Sequence, residues 1–152
     1  MTTPLIEALV TRHGFACVDE TTVDAFLAAH EIALLFFPGD AERLVESNDV
    51  AVILPEIMKA YGTRITPALV ASASERALQK RYLFNAFPTI VFLRQGGYLG
   101  HLSRVLDWQD YLSEIPAILA RDVTIPKFEF PEGCYSNGLM RDADNAQQGD
   151  FQ

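Results

Sequence analysis

The stretch ESNDVAVILPEIMKAYG, residues 46–62, reads as an amphipathic helix with a proline in its middle. Val50, Ile53, Leu54, Ile57, Met58 and Tyr61 recur at the spacing that stacks side chains on one helical face. Ser47, Asn48 and Asp49 offer N-caps, and Gly62 offers a terminator. Pro55 stands against this local logic. Inside a helix it deletes an i→i−4 hydrogen bond and crowds the preceding turn, at a cost of about 3 kcal/mol. A chain that keeps such a residue offsets the cost with packing that fits a bent helix.

The segments before this helix alternate in type. TPLIEALVTRHG gives a short helix with Leu5, Ile6, Leu9 and Val10 on one face and Gly14 at its stop, and FACVD gives a short strand. TTVDAFLAAH opens with Thr21 and Asp24 in capping-box spacing and turns Phe26 and Leu27 inward. IALLFF, residues 32–37, is a continuous apolar run of the kind found in a central strand covered on both faces. PGDAERLVESND then breaks the run with turn residues.

Downstream, RITPALVASAS gives a second apolar strand from Ile65 to Ala71, with Pro67 marking an irregular start. SERALQKRYLF gives a helix that buries Leu78 and Tyr82. FPTIVFLRQGGYLGHLSRV is a hairpin, with Thr89–Arg94 and Tyr98–Val105 on either side of Gln95-Gly96-Gly97, whose glycines admit positive φ. DWQDYLSEIPAILA closes as a helix capped by Asp107, with Trp108, Tyr111, Leu112, Ile115 and Leu119 on one side. The order αβαβαβαββα combines crossover units, which need parallel strands, with a hairpin. An α/β fold follows, with a mixed sheet flanked by helices over residues 1–120. From Arg121 the composition shifts, and residues 121–152 read as an extension. VTIPKFEF is expected to dock through Val123, Ile125, Phe128 and Phe130, and the final dozen residues to be disordered.

The bulk properties narrow the function. A net charge of −8 over 152 residues makes nucleic acid a poor ligand, because that binding rests on Lys and Arg neutralising phosphates. The same charge suits a cationic partner, although it also serves solubility. The two cysteines, Cys17 and Cys134, form no C-x-x-C, so neither a dithiol redox motif nor a zinc knuckle is available. Cys17 reads as a small buried apolar residue and Cys134 as part of the tail. His13, His30 and His101 share no ligand spacing, and neither a metal nor a cofactor is expected. No basic leader precedes an apolar run, no segment approaches the ~20 apolar residues of a membrane span, and no Arg-Arg pair occurs. The expectation is a cytoplasmic protein without membrane insertion.

With Pro55 after the first central strand, Phe87-Pro88-Thr89 opening the hairpin and a glycine turn leading to an aromatic-bearing helix, residues 15–120 resemble thioredoxin-like domains. The resemblance implies a cis Pro88 and places Ser47, Asn48, Asp49 and Val50 where thioredoxins carry Cys-x-x-Cys. Thiol–disulfide exchange needs a thiolate attacking a disulfide sulfur, so loss of both cysteines removes that mechanism. The strand IALLFF also lacks the buried acid of active thioredoxins. More narrowly, PLIEALVTRHGFACVDETTVDAFLA and FPTIVFLRQGGYLGHLSRVLDWQDYL resemble the thioredoxin-like hydrogenase expression/formation proteins of the HupG/HyaE group. Membership implies a non-catalytic cytoplasmic chaperone for uptake nickel–iron (NiFe) hydrogenase. It would bind the small-subunit precursor, with its twin-arginine signal peptide, and other accessory proteins would be further partners.

That resemblance carries a candidate peptide face formed by Glu46, Ser47, Asn48, Asp49, Phe87, Pro88 and Asp107, with no catalytic residue. Glu42, Glu46, Asp49, Asp107 and Asp110 would line one acidic edge suited to paired arginines. The alternative for Asp49, Asp107 and Asp110 is that they stabilise helix N-termini, and for Phe87 that it belongs to the core. Two other functions stay open: a monothiol oxidoreductase using Cys17 or Cys134, and a structural subunit of a maturation complex.

Overall fold

The computed structural model describes residues 2–127. In chain order the elements are α1 (Pro4–Thr11), β1 (Ala16–Val18), α2 (Val23–Ala29), β2 (Ile32–Phe37), α3 (Val45–Tyr61), β3 (Thr66–Val70), α4 (Glu75–Tyr82), β4 (Thr89–Arg94), β5 (Gly97–Ser103) and α5 (Trp108–Leu119). The strands form one sheet in the order β1-β3-β2-β4-β5. β3 runs parallel to β1 and β2, while β4 is antiparallel to both β2 and β5. This is the mixed sheet the segment order implies.

The run IALLFF is buried on both faces because its residues alternate between two cores. Leu34 and Phe36 join the core that holds Ile6 and Leu9 of α1, Val50, Leu54 and Ile57 of α3, and Tyr111, Ile115 and Ile118 of α5. Ala33, Leu35 and Phe37 join the opposite core with Val23 and Leu27 of α2 and Leu78 and Tyr82 of α4. Pro55 lies on the buried side of α3 together with Leu54 and Met58. Gly62 ends the helix, its N–H returning to Met58 O.

Several local expectations need correction. α3 begins at Val45, with Leu44 at the cap position and no side-chain capping bond. Ser47 and Asn48 lie inside the helix and bond to the preceding loop instead. The start of α2 is organised by Asp19, whose Oδ1 accepts the N–H groups of Thr21 and Thr22 at 2.8 and 3.0 Å. Those bonds hold the Asp19 carboxyl below its usual range, with the Thr21 hydroxyl the largest contributor. Asp24 is turned toward Arg81, at 2.8 Å. Asp107 occupies the cap position of α5, but only its backbone carbonyl serves, accepting from Asp110 and Tyr111.

Two apolar stripes run along α5, and periodicity alone does not choose between them. Tyr111, Ile115 and Ile118 face the sheet, leaving Trp108 and Leu112 about half exposed. Leu5 of α1 is likewise exposed. Cys17 is exposed rather than buried. It lies in an edge strand, and its neighbour Val18 takes the covered face. The hairpin turn is shorter than expected: Gln95 and Gly96 take φ of 48° and 85°, as a two-residue type I′ turn requires, and Gly97 already begins β5. Beyond α5, Thr124 N–H bonds to Tyr98 O at 2.9 Å, but Val123 and Ile125 are 51% and 81% exposed. The segment attaches through that backbone bond and through Val123, whose methyl groups lie against Gly97, while Ile125 is left exposed. Phe128, Phe130, Cys134 and the expected disorder of the last residues lie outside the described residues.

Candidate peptide groove

β2 delivers the chain at Phe37 into the loop that leads to α3, and the residues before β4 come back beside it. The two segments enclose a groove. The Phe87–Pro88 peptide bond is cis, as the resemblance implied. Phe87 is half-buried, edge-on to Phe84 with ring centroids 5.5 Å apart. Cavities of about 520 and 370 Å³ lie against it and share Arg43, Leu44 and Phe87 as walls. The larger reaches Asp40 and Glu75, and the smaller reaches Val45, Glu46 and Arg104. Among the described residues, neither the N–H nor the C=O of Phe87 has a hydrogen-bond partner.

The loop approaches Phe87 so closely that only glycine fits at one point. Gly39 has φ +73°, and a Cβ there would stand 2.7 Å from Phe87 Cβ. Its N–H donates to Glu75 Oε2 at 2.8 Å. Glu75 is only 7% exposed, and burial pushes its carboxyl up to about 6 against the bond from Gly39. Sequence reasoning missed this acid. It opens the helix SERALQKRYLF, where periodicity marks Leu78 and Tyr82 as inward but leaves a first-turn glutamate to read as a solvated one.

The expected site residues separate into distinct roles. Glu46 accepts Arg104 Nε at 2.9 Å, Arg104 Nη2, and the N–H of Val105 at 3.0 Å. Those bonds, Arg104 first, hold its carboxyl below the ordinary glutamate range. Arg104, at φ 69°, also donates its N–H to Pro88 O at 2.7 Å and so ties the end of β5 to the groove. Ser47 is fully buried and donates to Pro38 O at 2.5 Å, which makes it a support of the loop and not a contact surface. Asn48 bridges Thr3 and Ala41 O. Pro88 is buried, whereas Asp49 and Asp107 are exposed and line neither cavity. Of the acids expected along one edge, Glu42, Asp49, Asp107 and Asp110 are exposed and form no ion pair among the described residues. Glu46 is already paired, and Arg43, Arg76 and Arg104 bring positive charge to the groove walls.

Elsewhere, a cavity of about 460 Å³ lies at the opposite end of the sheet, between Ile32, Arg64 and Arg94. Among the described residues, no group of three or more His, Cys, Asp and Glu could hold a metal ion. No helix among them is long and apolar enough to cross a membrane.

Residues 5–111 match the family model described as Hydrogenase-1 expression protein HyaE. The chain is 50% identical over 117 residues to the hydrogenase expression/formation protein HoxO of Azotobacter vinelandii, covering 77% of this chain and 78% of that one. It is 40% identical over 116 residues to HupG of Bradyrhizobium diazoefficiens, covering 74% and 78%. Among solved structures it is similar to one described as hydrogenase expression/formation protein hupG from Rhodopseudomonas palustris. That match has a TM-score of 0.50 and 40% identity, over 69% of this chain and 95% of that one. A Plasmodium falciparum thioredoxin superposes with a TM-score of 0.55 at 15% identity, over 68% and 96%, a likeness of fold alone. The fold is thioredoxin-like, built here without a Cys-x-x-Cys.

Proposed function

The chain belongs to the HyaE family of hydrogenase expression proteins, and from that premise we propose that it is a non-catalytic chaperone of nickel–iron hydrogenase maturation. In this reading it holds the small-subunit precursor by its twin-arginine signal peptide, in the cytoplasm and before export. The observation that carries the reading is the groove that straddles Phe87, with that residue's two backbone groups unpartnered among the described residues. An extended peptide recognises such a place through its main chain, while pockets on either side receive alternate side chains. Leu44, Phe87 and Val45, which is 75% exposed, supply apolar contact. Exposed ion pairs contribute only ~0–1 kcal/mol each, so the apolar contacts carry most of the affinity and the overall charge of −8 assists encounter with a basic signal.

A redox role for the groove has little to support it. Cys17 is exposed, but it sits in β1, two strands away from the β2 end that opens into α3. The reading is tested by capture of the purified precursor, with and without its signal peptide, at low salt. Micromolar or tighter binding that disappears when the signal is removed, and weakens when both arginines are replaced, is the expected result. Equal capture of precursor and mature subunit would contradict it.

A further inference from the structure

We propose that the larger cavity, between Phe87 and the first turn of α4, is a subsite for one basic side chain of the bound peptide, with the unpartnered oxygen of Glu75 as its acceptor. The inference rests on the groove reading above and assigns a chemistry to one part of it. Glu75 is 7% exposed and uses Oε2 for the N–H of Gly39. Its Oε1 has no donor among the described residues. A buried carboxylate with a free oxygen is expensive unless a cation or further donors complete it. Asp40, in the loop after β2, faces the same space and adds a second carboxylate.

The walls suit a long basic side chain. Phe87 and Leu44 line it, supplying aromatic and apolar surface for a cationic head and its methylene stem. Arg43 and Arg76 also border the cavity, yet both are exposed, and neither forms an ion pair with Glu75 or Asp40 among the described residues. Among the described residues Glu75 thus has no ion-pair partner, although two cations border the cavity. The opposite chemistry, an acidic peptide group held by those arginines, would have to enter beside two carboxylates.

The experiment uses the full chain and a fluorescent synthetic peptide that carries the twin-arginine segment, followed by anisotropy. Glu75→Gln retains an acceptor for Gly39 N–H and is expected to weaken binding about tenfold, as loss of a buried charge-assisted bond does. Wild-type affinity is expected to fall as pH drops from 7.5 through 6, with Asp40, Arg43 and Arg76 the other charged groups facing the cavity among the described residues, and the Glu75→Gln profile to stay flat. Removing the competing cations in Arg43→Ala/Arg76→Ala is expected to tighten binding. Unchanged affinity and pH profile in Glu75→Gln, or weaker binding in the double arginine variant, overturns the subsite while leaving the groove reading intact. Absence of any wild-type binding at pH 7.5 overturns both.

Discussion

Glu75 accepts the backbone N–H of Gly39 at 2.8 Å, joining the first turn of α4 to the loop that leaves β2 beneath Phe87. One acid thereby fixes the floor of the groove from an element distant in sequence. Burial works against its charge, and the single amide bond does not restore what solvent would give. The fold accepts a local destabilisation at the place where a ligand would be held, as functional sites commonly do.

That cost has a measurable pH dependence. The carboxyl titrates at about 6 in the fold against a reference of 4.5, so the fold bears the full cost of its charge above pH 6 and none well below 4.5. At 1.36 kcal/mol per pKa unit the penalty is up to about 2 kcal/mol. Glu75→Gln is expected to be more stable than wild type by up to that amount at pH 8 and to lose that gain as pH falls well below 4.5, as read by urea unfolding across that range.

Gly39→Ala combines an unfavourable positive φ with a Cβ placed 2.7 Å from Phe87 Cβ. The variant is expected to lose more than about 1 kcal/mol in urea unfolding and to displace the Phe87 ring, visible as altered aromatic shifts.

Ser47→Ala leaves the carbonyl of Pro38 without its buried donor. A loss of about 1–3 kcal/mol is expected, since an orphaned buried acceptor costs its desolvation. Thermal unfolding checks this, and a change within experimental error would show that the hydroxyl does not hold the loop.

Arg104→Ala removes the largest cause of the lowered Glu46 carboxyl and is expected to raise its titration toward the ordinary glutamate value. Carbon-13 NMR of the Glu46 side chain reads the shift directly. Because the pair is exposed, 0.5 M salt is expected to move the wild-type midpoint in the same direction.

The fold was legible because its signals are long and repeated. The continuous apolar run IALLFF, the hairpin, and Pro55 inside an apolar stripe each point to the same sheet. Details that depend on which neighbour arrives first were not legible. Trp108 and Leu112 compete with Tyr111, Ile115 and Ile118 for the inward face, and only packing decides. Asn48 looks like a cap until Thr3 and Ala41 claim its side chain. At the walls of the candidate groove, Phe87 and Glu46 were readable from their place in the motif. Glu75, Arg43 and Arg104 were not, because each reaches the groove from a segment whose own pattern says only that it is polar.

The central claim is that a signal peptide lies across Phe87. Titrating the twin-arginine peptide into nitrogen-15-labelled protein tests it most directly. Amide shifts concentrated at Gly39, Asp40, Leu44, Val45, Ala86 and Phe87 are the expected result. Shifts confined to the far end of the sheet, around Ile32, Arg64 and Arg94, would contradict the account.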